Sequence, residues 1–454
     1  MPLALGLVAL VFVVGYVFII LEHNTGIDKV AAALLTGVLC WTIYTLGAPQ
    51  LLNADLLPPE FLAAHPGEPS ETLARIWVGE HQLLERFGEI ASILFFLLGA
   101  MTIVEMVDTY GGFSIITDRI KSRGMPSLLW IIGMVTFFLS AALDNLTTTI
   151  VMISLARKLV REHDDRILIA GIIVIAANAG GAWSPIGDVT TTMLWIGGQI
   201  SSSGIIRSMF LPSLVCIVVP LAILSAQTRG RIVASPDPDD GEARAFQTSA
   251  RHRNIMFWAG MLGLLFVPVF KTVTHLPPFM GMLFSLGIVW VISEILHDDR
   301  DAAIESGMHV LKVLRRIDTP SVLFFLGILM AVSALEASGL LRLAADWLGA
   351  VFSQIHVIVF LIGLLSAIVD NVPLVAAVMG MYDLGTHPTD DLVWTYLAFA
   401  AGTGGSCLII GSAAGVAAMG MERINFFWYM RRIGLLALAG YVAGTAVVFL
   451  PDLL

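Results

Sequence analysis

Stretches long enough to cross a bilayer as helices, about 20 apolar residues each, recur twelve times along this chain. They fall at 2–21, 30–48, 89–107, 128–156, 167–195, 206–226, 254–271, 278–296, 319–338, 354–380, 391–420 and 433–450. A chain built this way has lipid as its solvent. Its composition agrees: 57% of the 454 residues are apolar and 13% charged, about half the usual charged share, and mean hydropathy is +0.86. The fold class is therefore an all-α polytopic membrane protein.

The same composition excludes several functions. A formal charge of −10, with no cluster of aromatic and basic residues, argues against nucleic acid. No nucleotide-binding loop, hydrolytic triad or metal-ligand spacing is present, so neither an enzyme nor an ATP-driven pump is expected. Cys40, Cys216 and Cys407 sit in apolar stretches and read as packing residues. The first segment lacks a preceding Lys or Arg and a small-residue cleavage site, so it reads as a membrane helix and not a removed signal.

Basic residues set the orientation, because loops rich in Lys and Arg stay cytoplasmic. Arg119, Lys121 and Arg123 in loop 118–123, Arg157, Lys158, Arg161 and Arg166 in loop 157–166, and the arginines of 227–253 mark that side. Lys312, Arg315, Arg316, Arg423, Arg431 and Arg432 complete the set. The connection 49–88 instead carries Asp55, Glu60, Glu68, Glu71, Glu80 and Glu85 against Arg75 and Arg86, and reads as external. So does the loop 381–390 with the adjoining Asp391, which has no Lys or Arg.

Segment 128–156 thus has positive flanks at both ends. Its 29 residues are too few for two spans but suffice for a hairpin entering from the cytoplasmic side, with its tip near Asp144 and Asn145. Segment 354–380 lies between external loops and makes the mirror-image hairpin, tipped near Asp370 and Asn371. Irregular backbone at membrane depth is tolerated only when buried in protein or lining a polar cavity, and transport sites are its usual setting. With two hairpins set aside, about ten full spans remain and both termini come out external.

An internal repeat supports this layout. LFFLLGAMTIVEMVDTYGG from residue 94 is answered by LFFLGILMAVSALEASGLL from residue 323. FFLSAALDNLTTTI is answered by LIGLLSAIVDNVPLVA, which pairs Asp144–Asn145 with Asp370–Asn371 at an offset of 226. AANAGGAWSPIGD is answered by AAGTGGSCLIIGS, which pairs Gly180–Gly181 with Gly404–Gly405 and Gly187 with Gly411 at an offset of 224. The halves are 1–226 and 254–454, joined by a cytoplasmic linker 227–253, and they enter the membrane oppositely. An inverted-topology repeat of this kind places one central site between two exchangeable openings.

Segments 167–195 and 391–420 are each interrupted by small and polar residues, from Asn178 to Asp188 in the first and from Gly402 to Ser412 in the second. Both read as broken helices whose freed carbonyls can coordinate a cation. Asp144, Asp188 and Asp370 are carboxylates at membrane depth, costly there at about 2.5–3.5 kcal/mol each. No Lys or Arg occurs in 128–156, 167–206 or 354–420, so the clamp that a carboxylate or phosphate cargo would want is missing. Carboxylate, amide, hydroxyl and carbonyl oxygens suit a small hard cation instead. They also suit protons, since burial and neighbouring carboxylates favour the protonated carboxyl, and cation and proton would compete for the same oxygens. Structural roles stay open beside these: Asp144 and Asp370 can close hairpin tips, and Asp188 can cap the following half-helix. Glu89 and Glu105, bracketing the third span, are candidates for a proton path or for interface positions.

LEHNTGIDKVAAALLTGVLCW at 21–41, FFLSAALDNLTTTIVM and IAANAGGAWSPIGDVTTTMLW together resemble the NhaD-type Na⁺/H⁺ antiporters of bacteria, within a broader ion-transporter superfamily. The resemblance covers nearly the whole chain. It implies export of Na⁺ and Li⁺ in exchange for protons, favoured at alkaline pH, by a homodimer whose transport domains move in an elevator-like fashion in the bacterial inner membrane, with both termini periplasmic. It places the functional polar residues on Asp144, Asn145, Asn178, Asp188, Thr190 and Thr191, with Na⁺ or Li⁺ at Asp144 and Asp188. In the second half they fall on Ser366, Asp370 and Asn371, with a hydroxyl near Thr403 or Ser406. No cofactor beyond the transported ions and no nucleotide is expected. Because the superfamily includes carboxylate carriers, cation-coupled symport of a small anion such as a dicarboxylate is the competing reading. A non-transporting receptor is disfavoured by the inverted repeat. Ser412 stands where the first half has Asp188, so acidic charge is concentrated in the first half.

Overall fold

The computed structural model describes residues 3–20, 25–53, 57–113, 115, 120, 122, 124–233, 249–296, 313–352 and 354–450. Asp55, Arg119, Lys121, Arg123, Lys312 and most of the 227–253 linker lie outside the described residues. Among those described, the regular structure is helical. Seven helical runs are long and apolar enough to cross a membrane: Lys29–Leu51, Ser70–Thr109, Ser202–Gln227, Ala250–Thr274, Pro278–Leu296, Thr319–Ala337 and Phe426–Val448. The three other expected spans are Leu3–Ile20, of which 18 residues are described, and the two broken segments: His163–Gly181 has 19 residues but carries Asp164, Asp165 and Arg166 in its first turn, and Leu392–Gly404 has only 13. The protein is an all-α polytopic membrane protein with two hairpins and two broken helices.

Helix ends follow local chemistry. The first hairpin consists of Met125–Ser140 and Asn145–Leu159, turned at 141–144, with Asp144 as the N-cap of its second arm. The second consists of Ile355–Leu365 and Asn371–Met381. The first broken helix is His163–Gly181 followed by Val189–Ile196, capped by Asp188; the second is Leu392–Gly404 followed by Ala413–Glu422, capped by Ser412. Asp188 and Ser412 share nearly the same extended backbone, φ −147° and ψ 149° against φ −147° and ψ 153°.

One expectation is corrected. The connection 49–88 contains helices Pro59–Ala64 and Ser70–Ile76, and the latter runs through a π-helical segment, Trp77–Gln82, into Leu83–Thr109. The run of 40 residues is about 60 Å long at about 1.5 Å per residue, roughly twice the hydrocarbon thickness. Glu71, Glu80 and Glu85 sit on the part that precedes the expected span at 89, where polarity masks the continuing helix.

The chain packs as two compact units, each drawing on both halves of the repeat. The first contains Met1–Phe95, Asp318–Ser353 and Ala376–Thr386. Its core gathers Val8, Cys40, Trp41, Tyr44, Val78 and Val332. Trp41 Nε1 donates to the Met330 carbonyl at 2.9 Å, and Tyr44 Oη lies 2.9 Å from the Ala337 carbonyl and 3.0 Å from Gln82 Oε1, so buried polar tips meet backbone where the helices touch. Arg86 pairs with Glu336 at 2.8 Å and Glu89 at 3.0 Å.

The second unit contains Phe96–Ile317, Gln354–Val375 and His387–Leu454. Here the repeat becomes a repeat of contacts. Ser140 Oγ donates to the Ala177 carbonyl at 2.6 Å, and Ser366 Oγ to the Ala401 carbonyl at 2.7 Å. A Cβ on Gly180 would strike the Phe137 carbonyl and one on Gly404 the Gly363 carbonyl, so each hairpin lies directly on its broken helix at the same repeat position. Chain ends expected on one side also meet: Met125 N–H donates to the Arg231 carbonyl at 2.9 Å, Arg231 pairs with Asp165 at 2.6 Å, and Arg157 and Arg166 pair with the buried Glu422 at 2.6 and 3.1 Å. At the other ends of these helices, Asp390 accepts from Ser201 N–H and Oγ, both at 2.6 Å.

Replacing Gly404 by valine is expected to destabilise by about 1–3 kcal/mol or more, as overpacking does, and to abolish the monodisperse peak on size-exclusion chromatography. Gly349→Ala, whose Cβ meets nothing within 4 Å, should leave the peak unchanged and raise thermal stability slightly.

Candidate functional site

Both breaks and both hairpin tips bring helix N-termini into the second unit's interior. An N-terminus leaves backbone N–H groups unpaired, and in this interior side chains satisfy them. Asp144 accepts from Thr147 N–H at 2.8 Å and from Thr147 Oγ1 at 2.5 Å. Asp188, 1% exposed, accepts through Oδ1 from Thr190 N–H and Oγ1, both at 2.8 Å. Asp370 accepts from Val372 N–H at 3.2 Å, and Ser412 from Gly415 N–H at 3.2 Å.

An amide chain joins these ends. Asn145 Nδ2 donates to Asp188 Oδ2 at 2.6 Å and to Asn178 Oδ1 at 2.9 Å. Asn178 Nδ2 then donates to Ser406 Oγ and Ser412 Oγ, both at 2.9 Å. One buried asparagine in the first broken helix therefore links the first hairpin tip to the second break. The repeat equivalent of Asn178 is Gly402, and the place where its side chain would begin lies 3.9 Å from Asp188 Oδ2. Asp144 and Asp370 are both within electrostatic reach of Asp188. The hydrogen-bond partners of Asp144 and Asp188 named here are all uncharged.

The structure thus unites Asp144, Asn145, Asn178, Asp188, Thr190 and Ser406, with Asp370 close enough for its charge to act. Thr191 Oγ1 donates to the Asp188 carbonyl at 2.9 Å and supports the break from behind. Asn371 is buried beside Asp370. Ser366 and Thr403 donate instead to the Ala401 and Phe399 carbonyls, at 2.7 and 2.5 Å, so they brace backbone and do not reach the carboxylates. Glu89, in the first unit, pairs with Arg86 at 3.0 Å, and Glu105 with Arg316 at 3.7 Å. Among the described residues no three acidic, His or Cys side chains form a metal cluster, so any bound cation would draw on amide, hydroxyl and carbonyl oxygens as well.

Two neighbours of the site escaped the sequence reading. Ser184 donates to the Ala141 carbonyl and ties the first tip to the first break. Lys271 Nζ donates to the Trp195 carbonyl at 2.7 Å and lies 4.4 Å over the Trp195 ring, a cation at the C-terminal end of the half-helix Val189–Ile196. Lys271 looked like the end of an ordinary span, and its partner is 76 residues away.

Comparison with known proteins places the chain. A family model described as a citrate transporter matches residues 16–404. Sodium/proton antiporter 1 of Arabidopsis thaliana is 48% identical over 441 residues, covering 96% of this chain and 71% of that protein. The Na⁺/H⁺ antiporter NhaD of Alkalimonas amylolytica is 30% identical over 477 residues, covering 96% of this chain and 88% of that one. The chain belongs to the NhaD-type Na⁺/H⁺ antiporter family. The crystal structure of the YdaH transporter of Alcanivorax borkumensis shares the fold, with a TM-score of 0.58 at 14% identity over 92% of this chain and 97% of that one. This member of the NhaD-type family thus carries its three N-terminal carboxylates on a transporter fold of wider use.

Asn178→Ala removes the hydrogen bonds that join Asn145, Ser406 and Ser412 through one amide and is expected to destabilise the detergent-solubilised protein by about 1–3 kcal/mol, read as a lowered unfolding temperature. Thr403→Ala, which removes a bond within its own helix and one buried methyl group, should cost about 1 kcal/mol, less than Asn178→Ala.

Proposed function

We propose that this protein is a secondary antiporter that exchanges Na⁺, and Li⁺, for protons at Asp144 and Asp188. The charge of four helix N-termini meeting in one interior carries the reading. Each such terminus bears about half a positive charge, so four together would attract an anion. Three of them are capped by aspartate and only one by neutral Ser412. Three full negative charges outweigh about two positive ones, and the ionised site is negative overall. That sign suits a cation and disfavours the carboxylate cargo suggested by the citrate-transporter description. The sodium/proton antiporters among the relatives support the same choice.

Exchange follows from competition. With Asp144 and Asp188 ionised, their oxygens together with amide and hydroxyl oxygens replace water around a small cation. Protonation removes the charge and the cation leaves. If the protein changes access only when cation or protons are bound, the two fluxes are coupled. We further propose that the hairpins and broken helices move as a body in an elevator-like step, that the protein works as a homodimer in the bacterial inner membrane, and that both termini are periplasmic. Ala250–Thr274 and Pro278–Leu296 are the least buried of the seven long spans, and they offer surface for lipid or a second copy.

In proteoliposomes holding an acid interior, added Na⁺ or Li⁺ should collapse the pH gradient, while K⁺ or citrate should not. Collapse that requires citrate or succinate would establish anion symport instead. Asp144→Asn and Asp188→Asn should each abolish exchange while leaving a folded protein, and wild-type exchange in either removes that residue from the carrier role.

The pH dependence has a definite sign. Lower pH protonates the shared carboxylates, so the Na⁺ concentration for half-maximal exchange should rise, by up to about tenfold per pH unit for each competing proton. A value independent of pH would separate the proton and cation sites.

A further inference from the structure

A polar cavity that shares no lining residue with the candidate site lies where the start of His163–Gly181, the end of Ser202–Gln227 and the segment 428–432 meet. It measures about 270 Å³ and is lined by Asp164, Leu224, Gln227, Arg231, Trp428 and Arg432 among others. Arg231 is anchored by Asp165 at 2.6 Å, which fixes one guanidinium in the wall. Arg432 extends into the same space from the opposite element and is exposed. The helix ends that form the cavity carry arginines expected from the sequence to mark one membrane face, an orientation that would put the cavity at the level of lipid headgroups.

We propose that this cavity binds the headgroup of a zwitterionic aminophospholipid such as phosphatidylethanolamine. Arg231 and Arg432 are placed to hold the phosphodiester, for which guanidinium donors are well matched. Asp164, on the same wall, accepts the ammonium. Two arginines with Asp164 and Asp165 leave the wall without net charge, which matches a headgroup that carries both signs better than one that is purely anionic. Leu224 and Trp428 contribute apolar surface for the glycerol carbons. On the same segment as Trp428 and Arg432, Phe427 and Leu435 are 62% and 65% exposed, apolar surface that acyl chains in the bilayer would cover. A soluble phosphate would leave that surface bare.

The test uses the full-length protein, delipidated in detergent, with thermal unfolding and native mass spectrometry as readouts. Phosphatidylethanolamine should stabilise the protein and remain bound, and phosphatidylglycerol and soluble phosphoethanolamine should each bind about tenfold more weakly, the loss expected from one missing charged or apolar partner. Arg432→Gln and Asp164→Asn should each weaken the phosphatidylethanolamine effect about tenfold, while Arg431→Gln, adjacent but not lining the cavity, should not. Asp164→Asn should also remove the preference over phosphatidylglycerol, a change that mere misfolding would not produce. Equal binding of phosphatidylglycerol by the unmodified protein, equal binding of soluble phosphoethanolamine, or equal losses from Arg431→Gln and Arg432→Gln would overturn the proposal. None of these readouts depends on ion exchange, so failure here leaves the antiport reading intact, and failure there leaves this one intact.

Discussion

Stopping a helix inside a membrane creates a debt of unpaired backbone groups that no solvent can settle. Among the described residues four helices begin in the interior of the second unit, and the site is the set of side chains that satisfies their first turns. Asp144, Asp188, Asp370 and Ser412 accept the freed N–H groups, and Asn145 and Asn178 lock the caps to one another. The groups that make the break tolerable are the groups proposed to carry ions. Structure and chemistry are therefore one constraint here: a carboxylate that caps a helix is held in place by the freed N–H groups and its negative charge is favoured by the helix dipole.

The remaining architecture serves that interior. Glycines at 180 and 404 let each hairpin lie directly on the broken helix beside it, and Ser140 and Ser366 pin the two together by the same hydrogen bond in both halves. Lys271 closes the far end of the short helix Val189–Ile196. Glu422, buried at the end of the second broken helix, draws in Arg157 and Arg166 and so couples the outer ends of elements whose inner ends meet at the asparagines. Removing one partner of such a buried pair is costly because it leaves an uncompensated charge.

Much of this was legible in the sequence. Hydropathy located the spans, and the repeated Asp-Asn and Gly-Gly blocks located the hairpin tips and breaks, because a repeat with fixed offset survives where propensity alone does not discriminate. The extension of the third span back to Ser70 was hidden, since charged residues along a helix that leaves the membrane look the same as a loop. Hydroxyl roles were also hidden. Ser366, Thr403 and Ser406 lie in similar small-residue surroundings, yet only Ser406 meets Asn178, and that choice is fixed by which way each helix face turns. Lys271 and Glu422 act through partners far along the chain, which local sequence cannot register.

The pairing of Asn178 with Gly402 means that the two halves share a pattern but are not interchangeable. A protein assembled from two copies of the first half would place a second asparagine side chain starting 3.9 Å from Asp188 Oδ2, and one assembled from two copies of the second half would have glycine in place of Asn178 and lose the amide that spans the centre. Each half holds what the other lacks, so the centre is complete only when the two different halves are joined in one chain.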